Sequence, residues 1–150
     1  MMITAEAIRG FRLRAHHLDR RLPAGELCSG AGACGVQNSP PGAWETALFL
    51  RVEGAARETL RRALWEERVL LQAWSIRGVP LVFPAADMPV FLAPLAAEAG
   101  EEPWIYTRGI TAALDFLGMD FDQLLPLVKA ACGVLEEYTV VGKEELDRVL

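Results

Sequence analysis

Val69-Leu70-Leu71-Gln72-Ala73-Trp74-Ser75-Ile76-Arg77-Gly78-Val79-Pro80-Leu81-Val82-Phe83 reads as two strands joined by a tight turn. The first run is aliphatic and aromatic, Arg77-Gly78 supplies the turn, and Val79 to Phe83 returns as the second strand. Pro80 has no N–H to give to a ladder, so the returning strand is expected at a sheet edge. Trp74 is either a wing residue or, the preferred reading, a core side chain filling the space between the hairpin and neighbouring helices. Arg77, at a glycine-containing turn, is a candidate for ligand contact.

Upstream of the hairpin the pattern changes to helical. From Ala56 to Arg68, Leu60, Ala63, Leu64 and Trp65 are expected inward, and Arg57, Arg61 and Arg62 outward. Before that, Trp44, Ala47, Leu48 and Arg51 share one helical face, and Gly54 ends the run. The chain reaches this helix through Gly35-Val36-Gln37-Asn38-Ser39-Pro40-Pro41-Gly42, a neutral polar cluster whose prolines fix the backbone. Ser39 is placed to cap a helix whose first turn begins at the prolines. Polar residues held on such a turn can also face a ligand. Pro23 to Cys34 is rich in Gly and Ala and reads as a loop with room for one helical turn. From Thr4 to about Leu22, Ile8, Phe11, Ala15, Leu18 and Leu22 recur at helical spacing behind a Thr4 cap, with Arg9, Arg12, Arg14, Arg20 and Arg21 mostly off that stripe.

Downstream, Asp87 is placed to cap a helix with Pro89 in its first turn, running through Val90, Phe91, Leu92 and Leu95 towards Gly100. Pro103 to Tyr106 reads as an extended link. A helix then runs from Thr107 or Arg108 to Leu117 and is closed by Gly118. Asp120 or Asp122 caps a longer one that reaches Glu137 with Pro126 in its first turns, and an amphipathic helix opens after Gly142.

The chain of 150 residues, 52% hydrophobic and 23% charged, can bury an ordinary core. Its longest apolar runs, such as Val79 to Phe83 and Val90 to Ala97, fall far short of a bilayer span. The first ten residues lack a basic segment followed by an apolar one, so a cytoplasmic protein is expected. Three cysteines, Cys28, Cys34 and Cys132, cannot all pair, and neither their spacing nor the adjacent His16 and His17 suggests a metal site. The net charge of −5 is unevenly spread. Residues 1–35 carry five arginines against three acids, residues 36–84 six against five, and residues 85–150 four basic residues against twelve acids. A polyanion would meet the first two segments and avoid the third.

A helix, short helices and then a two-stranded hairpin with Arg-Gly at its turn is the element order of a winged helix-turn-helix, a mainly α fold with a small β wing. Residues 1–100 are expected to form that domain. Residues 101–150 would form a linker helix and the start of a second, truncated one. In this class the helix before the wing enters the major groove of duplex DNA. Arg57, Arg61 and Arg62 of that helix and Ser75 and Arg77 of the wing are therefore DNA-binding candidates, with Asn38 of the polar turn beside them, although Glu58, Glu66 and Glu67 would oppose phosphate.

With these segments assembled, the sequence resembles the AlkZ-like winged-helix DNA glycosylases. The resemblance is carried by Gly35-Val36-Gln37-Asn38-Ser39, the helix Trp44 to Val52, Ala63-Leu64-Trp65-Glu66-Glu67-Arg68, Trp74-Ser75-Ile76-Arg77-Gly78 and Leu81-Val82-Phe83-Pro84-Ala85-Ala86-Asp87. It spans roughly Ile8 to Leu95. The resemblance implies tandem winged-helix domains around a DNA channel, unhooking of crosslinks or excision of alkylated purines, and double-stranded DNA, damaged or not, as partner, with no cofactor. It also implies a catalytic motif of Gln, an aliphatic residue, then Gln or Asp, in which the second polar residue orients water or stabilises the sugar cation. Gln37 matches the first position and Ser39 stands at the third, so these are the catalytic candidates. Asn38 replaces the aliphatic residue. A serine hydroxyl is short and neutral, and it activates water poorly without a base partner. The alternatives are a non-catalytic winged-helix regulator and a protein-interaction module.

Overall fold

The computed structural model describes residues 3–75, 78–95, 107–140 and 142–150, with the backbone alone for 107–110. It divides into two compact units, Met1–Leu95 and Ala96–Leu150.

The first unit begins with α1, Ala5–Ala15, whose Thr4 cap accepts a 3.1 Å hydrogen bond from the Ala7 N–H. The helix stops short of Leu22 because His17 turns into the left-handed region at φ 53°. The His17 N–H then bonds to Arg14 O at 3.0 Å and the Leu18 N–H to Leu13 O at 2.9 Å. That is a Schellman closure with His where Gly usually stands, so composition does not announce it. Nor is the apolar stripe of α1 buried among the described residues, as Phe11 is 68% exposed.

The core forms around α2 (Leu27–Ala31), α3 (Ala43–Arg51), α4 (Arg57–Arg61) and a sheet. Leu48, Val52, Leu60, Ala63, Leu70 and Val82 are fully buried there, with Trp44 and Leu27 beside them. Each large aliphatic side chain removed from water contributes about 1.5–3 kcal/mol. A π-helical turn, Arg62–Glu66, continues α4 and keeps Ala63 inward. Trp65, expected inward, is 69% exposed. Arg51 closes α3 onto the end of α1, donating through Nε to His16 O at 3.0 Å and through a terminal nitrogen to Ala47 O at 2.8 Å.

The sheet holds β1 (Val36–Gln37), β2 (Leu70–Trp74) and β3 (Pro80–Pro84), all antiparallel, in the order β1-β3-β2. The hairpin has the expected partners, with Gln72 opposite Val82 and Trp74 opposite Pro80. Its returning strand, however, is central. Pro80 is tolerated because it opens the strand, and the bond beyond it runs from the Ser75 N–H to Val79 O at 3.0 Å. The strand that covers β3 is only two residues long, too short to show in a hydrophobic pattern. Trp74 is not a core residue: it is 59% exposed. Phe83 is buried instead, stacked on Phe91 of α5 (Met88–Leu92) with ring centroids 4.3 Å apart. Asp87 stands at the start of α5 and makes no side-chain cap bond.

The second unit contributes α6 (Thr107–Leu117), α7 (Phe121–Glu137) and α8 (Lys143–Val149). Asp120 caps α7 in a reciprocal box, its carboxylate accepting from the Gln123 N–H at 2.8 Å and its own N–H donating to Gln123 Oε1 at 2.9 Å. Gly118, at φ 64°, ends α6. The extended link expected at Pro103 to Tyr106 lies outside the described residues.

Candidate active site

Gln37, Asn38 and Ser39 sit where β1 leaves the sheet and turns into α3. Gly35 lets β1 come close to β3: its φ is 67°, and a Cβ there would stand 3.0 Å from Val82 O. Val36 pairs with Val82 and Gln37 with Leu81, so strand alternation buries Val36 and leaves Gln37 exposed.

Asn38 holds the turn. Its backbone N–H donates to Pro80 O at 2.8 Å, extending the β1–β3 pairing by one bond. Its Oδ1 accepts from the Gly42 N–H at 2.7 Å, and its Nδ2 donates to Gln72 Oε1 on β2 at 2.6 Å. Gly42, at φ 89°, is the N-cap of α3, so the helix starts at Ala43 and not at the prolines. Asn38 Oδ1 thus holds the backbone of the N-cap residue, and no side chain, that of Ser39 included, makes a cap bond to the first turn of α3. Each end of the Asn38 amide makes one bond within the fold, so this half-buried side chain is held in place by the protein itself.

Gln37 and Ser39 are both exposed on this fixed turn. The Gln37 Nε2 donates to Ser39 O at 3.4 Å, a long bond that uses the nitrogen end of the exposed amide. An amide oxygen so placed can accept a hydrogen bond from water. It cannot take the proton at neutral pH. The Ser39 hydroxyl can donate or accept on the same exposed turn.

Among the DNA-binding candidates, Arg57 and Arg61 of α4 and Arg62 of the π turn are exposed. Arg62 donates through Nε to Glu67 Oε1 at 2.8 Å, with both side chains about half exposed, so part of its charge is already answered. Ser75 is 5% exposed, and its backbone closes the hairpin through bonds to Val79 and Gly78. Burial at that position removes it from the contact surface. Arg77 lies outside the described residues. Two residues were not among the sequence-based candidates. Gln72 is a lone polar residue in an apolar strand, and its meeting with Asn38 depends on a register that spacing does not give. Trp65 is exposed among the arginines of α4 and the π turn. Among the described residues no group of His, Cys, Asp and Glu could hold a metal ion. No helix among them is long and apolar enough to cross a membrane.

The geometry can be set beside known proteins. The family model described as DNA glycosylase AlkZ-like matches residues 31–140. Among solved structures, the Streptomyces sahachiroi DNA glycosylase AlkZ is similar, with a TM-score of 0.70 at 19% sequence identity. The similarity covers 97% of this chain and 37% of that one, so the chain spans little more than a third of the length of the structure it matches. No curated protein matches the sequence significantly. The likeness in fold agrees with the helices and three-stranded sheet described above, and the family model extends over most of the sequence, including the Gln37 turn, α4 and the hairpin. On that match the chain belongs to the AlkZ-like DNA glycosylase family.

Proposed function

We propose that the chain engages duplex DNA through its first unit and excises an alkylated base at the Gln37–Ser39 turn. The observation that carries this reading is that Gln37 and Ser39 are solvent-facing on a turn fixed by three hydrogen bonds of the intervening Asn38. Exposed Arg57 and Arg61 offer positive charge for phosphate, while the acidic last third would stay clear of it. An N-alkylated purine carries positive charge and leaves as a neutral base when its bond to C1′ breaks, so departure needs no general acid. The protein must then place a water opposite the developing sugar cation. The water oxygen bonds to C1′ and its proton passes to solvent. Gln37 Oε1 is the group proposed to align that water, with the Ser39 hydroxyl as a second contact. The second unit is proposed to open a further winged helix.

The reading is tested by fluorescence anisotropy of a labelled duplex at low and moderate salt, beside a single-turnover excision assay on alkylated DNA. Binding should weaken with salt at a slope of about −0.9 per phosphate neutralised. Gln37→Ala should abolish excision and leave binding within about twofold, as expected for a group acting only on the reacting centre. Absence of excision by the wild-type chain would overturn the catalytic half. Absence of binding at low salt would overturn the whole reading. A second reading, a DNA-binding protein without catalysis, is favoured by Ser39 at the position where the family motif carries Gln or Asp. It shares the salt dependence and is indifferent to Gln37→Ala.

A further inference from the structure

We propose that Gln72 is a positioning residue for the Gln37–Ser39 turn, acting through Asn38. The inference deepens the excision reading and rests on it. The polarity of the hydrogen-bond chain is fixed from one end. The Gly42 N–H is a backbone donor, so the Asn38 atom 2.7 Å from it must be the oxygen. The Asn38 NH2 group therefore points at Gln72, and the Gln72 atom 2.6 Å away must be its oxygen. Neither amide can flip without setting like groups against each other. The chain runs from the start of α3 through Asn38 to β2, across the end of β3, where Asn38 also bonds to Pro80 O at 2.8 Å.

An aliphatic side chain at position 38 could hold the turn only by packing. Asn38 holds it by direction, and this requires an acceptor at position 72. Gln37 and Ser39 flank Asn38 on both sides, so a rotation of the Asn38 backbone moves both of them. Gln72 is exposed on the outer strand and lies opposite Val82, so replacing it removes little from the core. Loss of the acceptor should loosen the turn without unfolding the unit. Displacements of about 1 Å in such groups can cost about a hundredfold in rate.

The test compares Gln72→Ala, Gln72→Glu and Gln72→Lys in this chain, by single-turnover excision at saturating protein, duplex affinity and thermal midpoint. Gln72→Glu keeps an acceptor for the Asn38 NH2, whereas Gln72→Lys offers only donors at similar length. Excision should fall about tenfold or more in Gln72→Ala and Gln72→Lys and stay near wild type in Gln72→Glu, with the midpoint little changed in all three. Such an order cannot come from DNA affinity, which the added lysine would strengthen and the added glutamate weaken. Wild-type excision by Gln72→Ala, or equal loss in Glu and Lys, would overturn the proposal while leaving the excision reading intact. If the wild-type chain binds DNA and excises nothing, the excision reading fails by itself. The positioning is then judged by NMR. Movement of the Gln37 side-chain amide and Ser39 backbone resonances in Gln72→Ala, restored in Gln72→Glu, supports it, and unmoved resonances overturn it.

Discussion

Gly30 of α2 lies so close to Val52 that a Cβ at position 30 would stand 2.6 Å from Val52 Cγ2 and 3.2 Å from Leu48 Cδ2. Two effects of Gly30→Ala therefore oppose each other. Replacing Gly by Ala inside a helix stabilises by up to about 1 kcal/mol. Overpacking a core costs about 1–3 kcal/mol. Val52 and Leu48 are both 0% exposed, and a β-branched valine has few rotamers to retreat into, so the clash should win. Chemical denaturation should show a net loss of about 1–2 kcal/mol from these opposing contributions. A more stable variant would mean that α2 and α3 can separate freely.

Cys28 gives a prediction about pH. Burial, followed by the nearby charges of Asp87 and Glu26, raises its thiol pKa above the ordinary range. Its Sγ faces Val69 O at 3.7 Å. The thiolate is the reactive form, so alkylation of Cys28 by iodoacetamide, followed by site-resolved mass spectrometry, should be slower near pH 8 than that of a free thiol. Asp87→Asn removes one raising charge and should move the rate inflection to lower pH. The folded state favours the neutral thiol more than the unfolded state does. This contribution to stability is therefore present below the unfolded pKa and lost as pH rises through the folded one.

Ser39 is where a gain is expected. It is exposed, so Ser39→Gln and Ser39→Asp should fold without core cost. Either restores the polar reach that the family motif carries at the third position, and Asp adds a base for the attacking water. General-base assistance typically contributes 10²–10⁴-fold, so even imperfect alignment should raise single-turnover excision by about tenfold in Ser39→Asp. An unchanged rate in both variants would mean that the side chain at position 39 does not act on the attacking water.

Sequence pattern revealed the hairpin, a helix before it and a cap at Asp120 or Asp122, of which Asp120 is the one used, because each depends on neighbours a few residues apart. It missed what depends on distant partners. The two residues of β1 make β3 a central strand, yet they carry no alternation long enough to read. Trp65 and Trp74 look like core residues by composition, and only the joining of Leu60, Ala63 and Leu70 in one buried cluster with Trp44 and Leu48 shows that the core is filled without them. The candidate site divides in the same way. Gln37 and Ser39 were named through the family resemblance, and what the proline-bounded turn made legible was their exposure. The structural duty of Asn38 was not legible, because its acceptor, Gln72, lies 34 residues away.

The Arg62–Glu67 pair sets a final expectation for the DNA surface. Glu67 Oε1 accepts from Arg62 Nε at 2.8 Å, and the two side chains are 52% and 50% exposed. Exposed pairs of this kind add at most about 1 kcal/mol to stability, so Glu67→Gln should leave the fold intact. The substitution removes a negative charge and frees Arg62 for phosphate. Duplex affinity should rise, and the salt slope should steepen by up to about 0.9 if Arg62 gains one phosphate. Arg61→Ala should act in the opposite sense, weakening binding and flattening the slope by a similar amount. Trp65→Ala removes an exposed aromatic face and no charge, so any loss of affinity there should leave the slope unchanged. Anisotropy titrations at several salt concentrations separate the three. If neither Glu67→Gln nor Arg61→Ala moves the slope, α4 and its π turn do not face phosphate, and the contact surface must be sought elsewhere on the first unit.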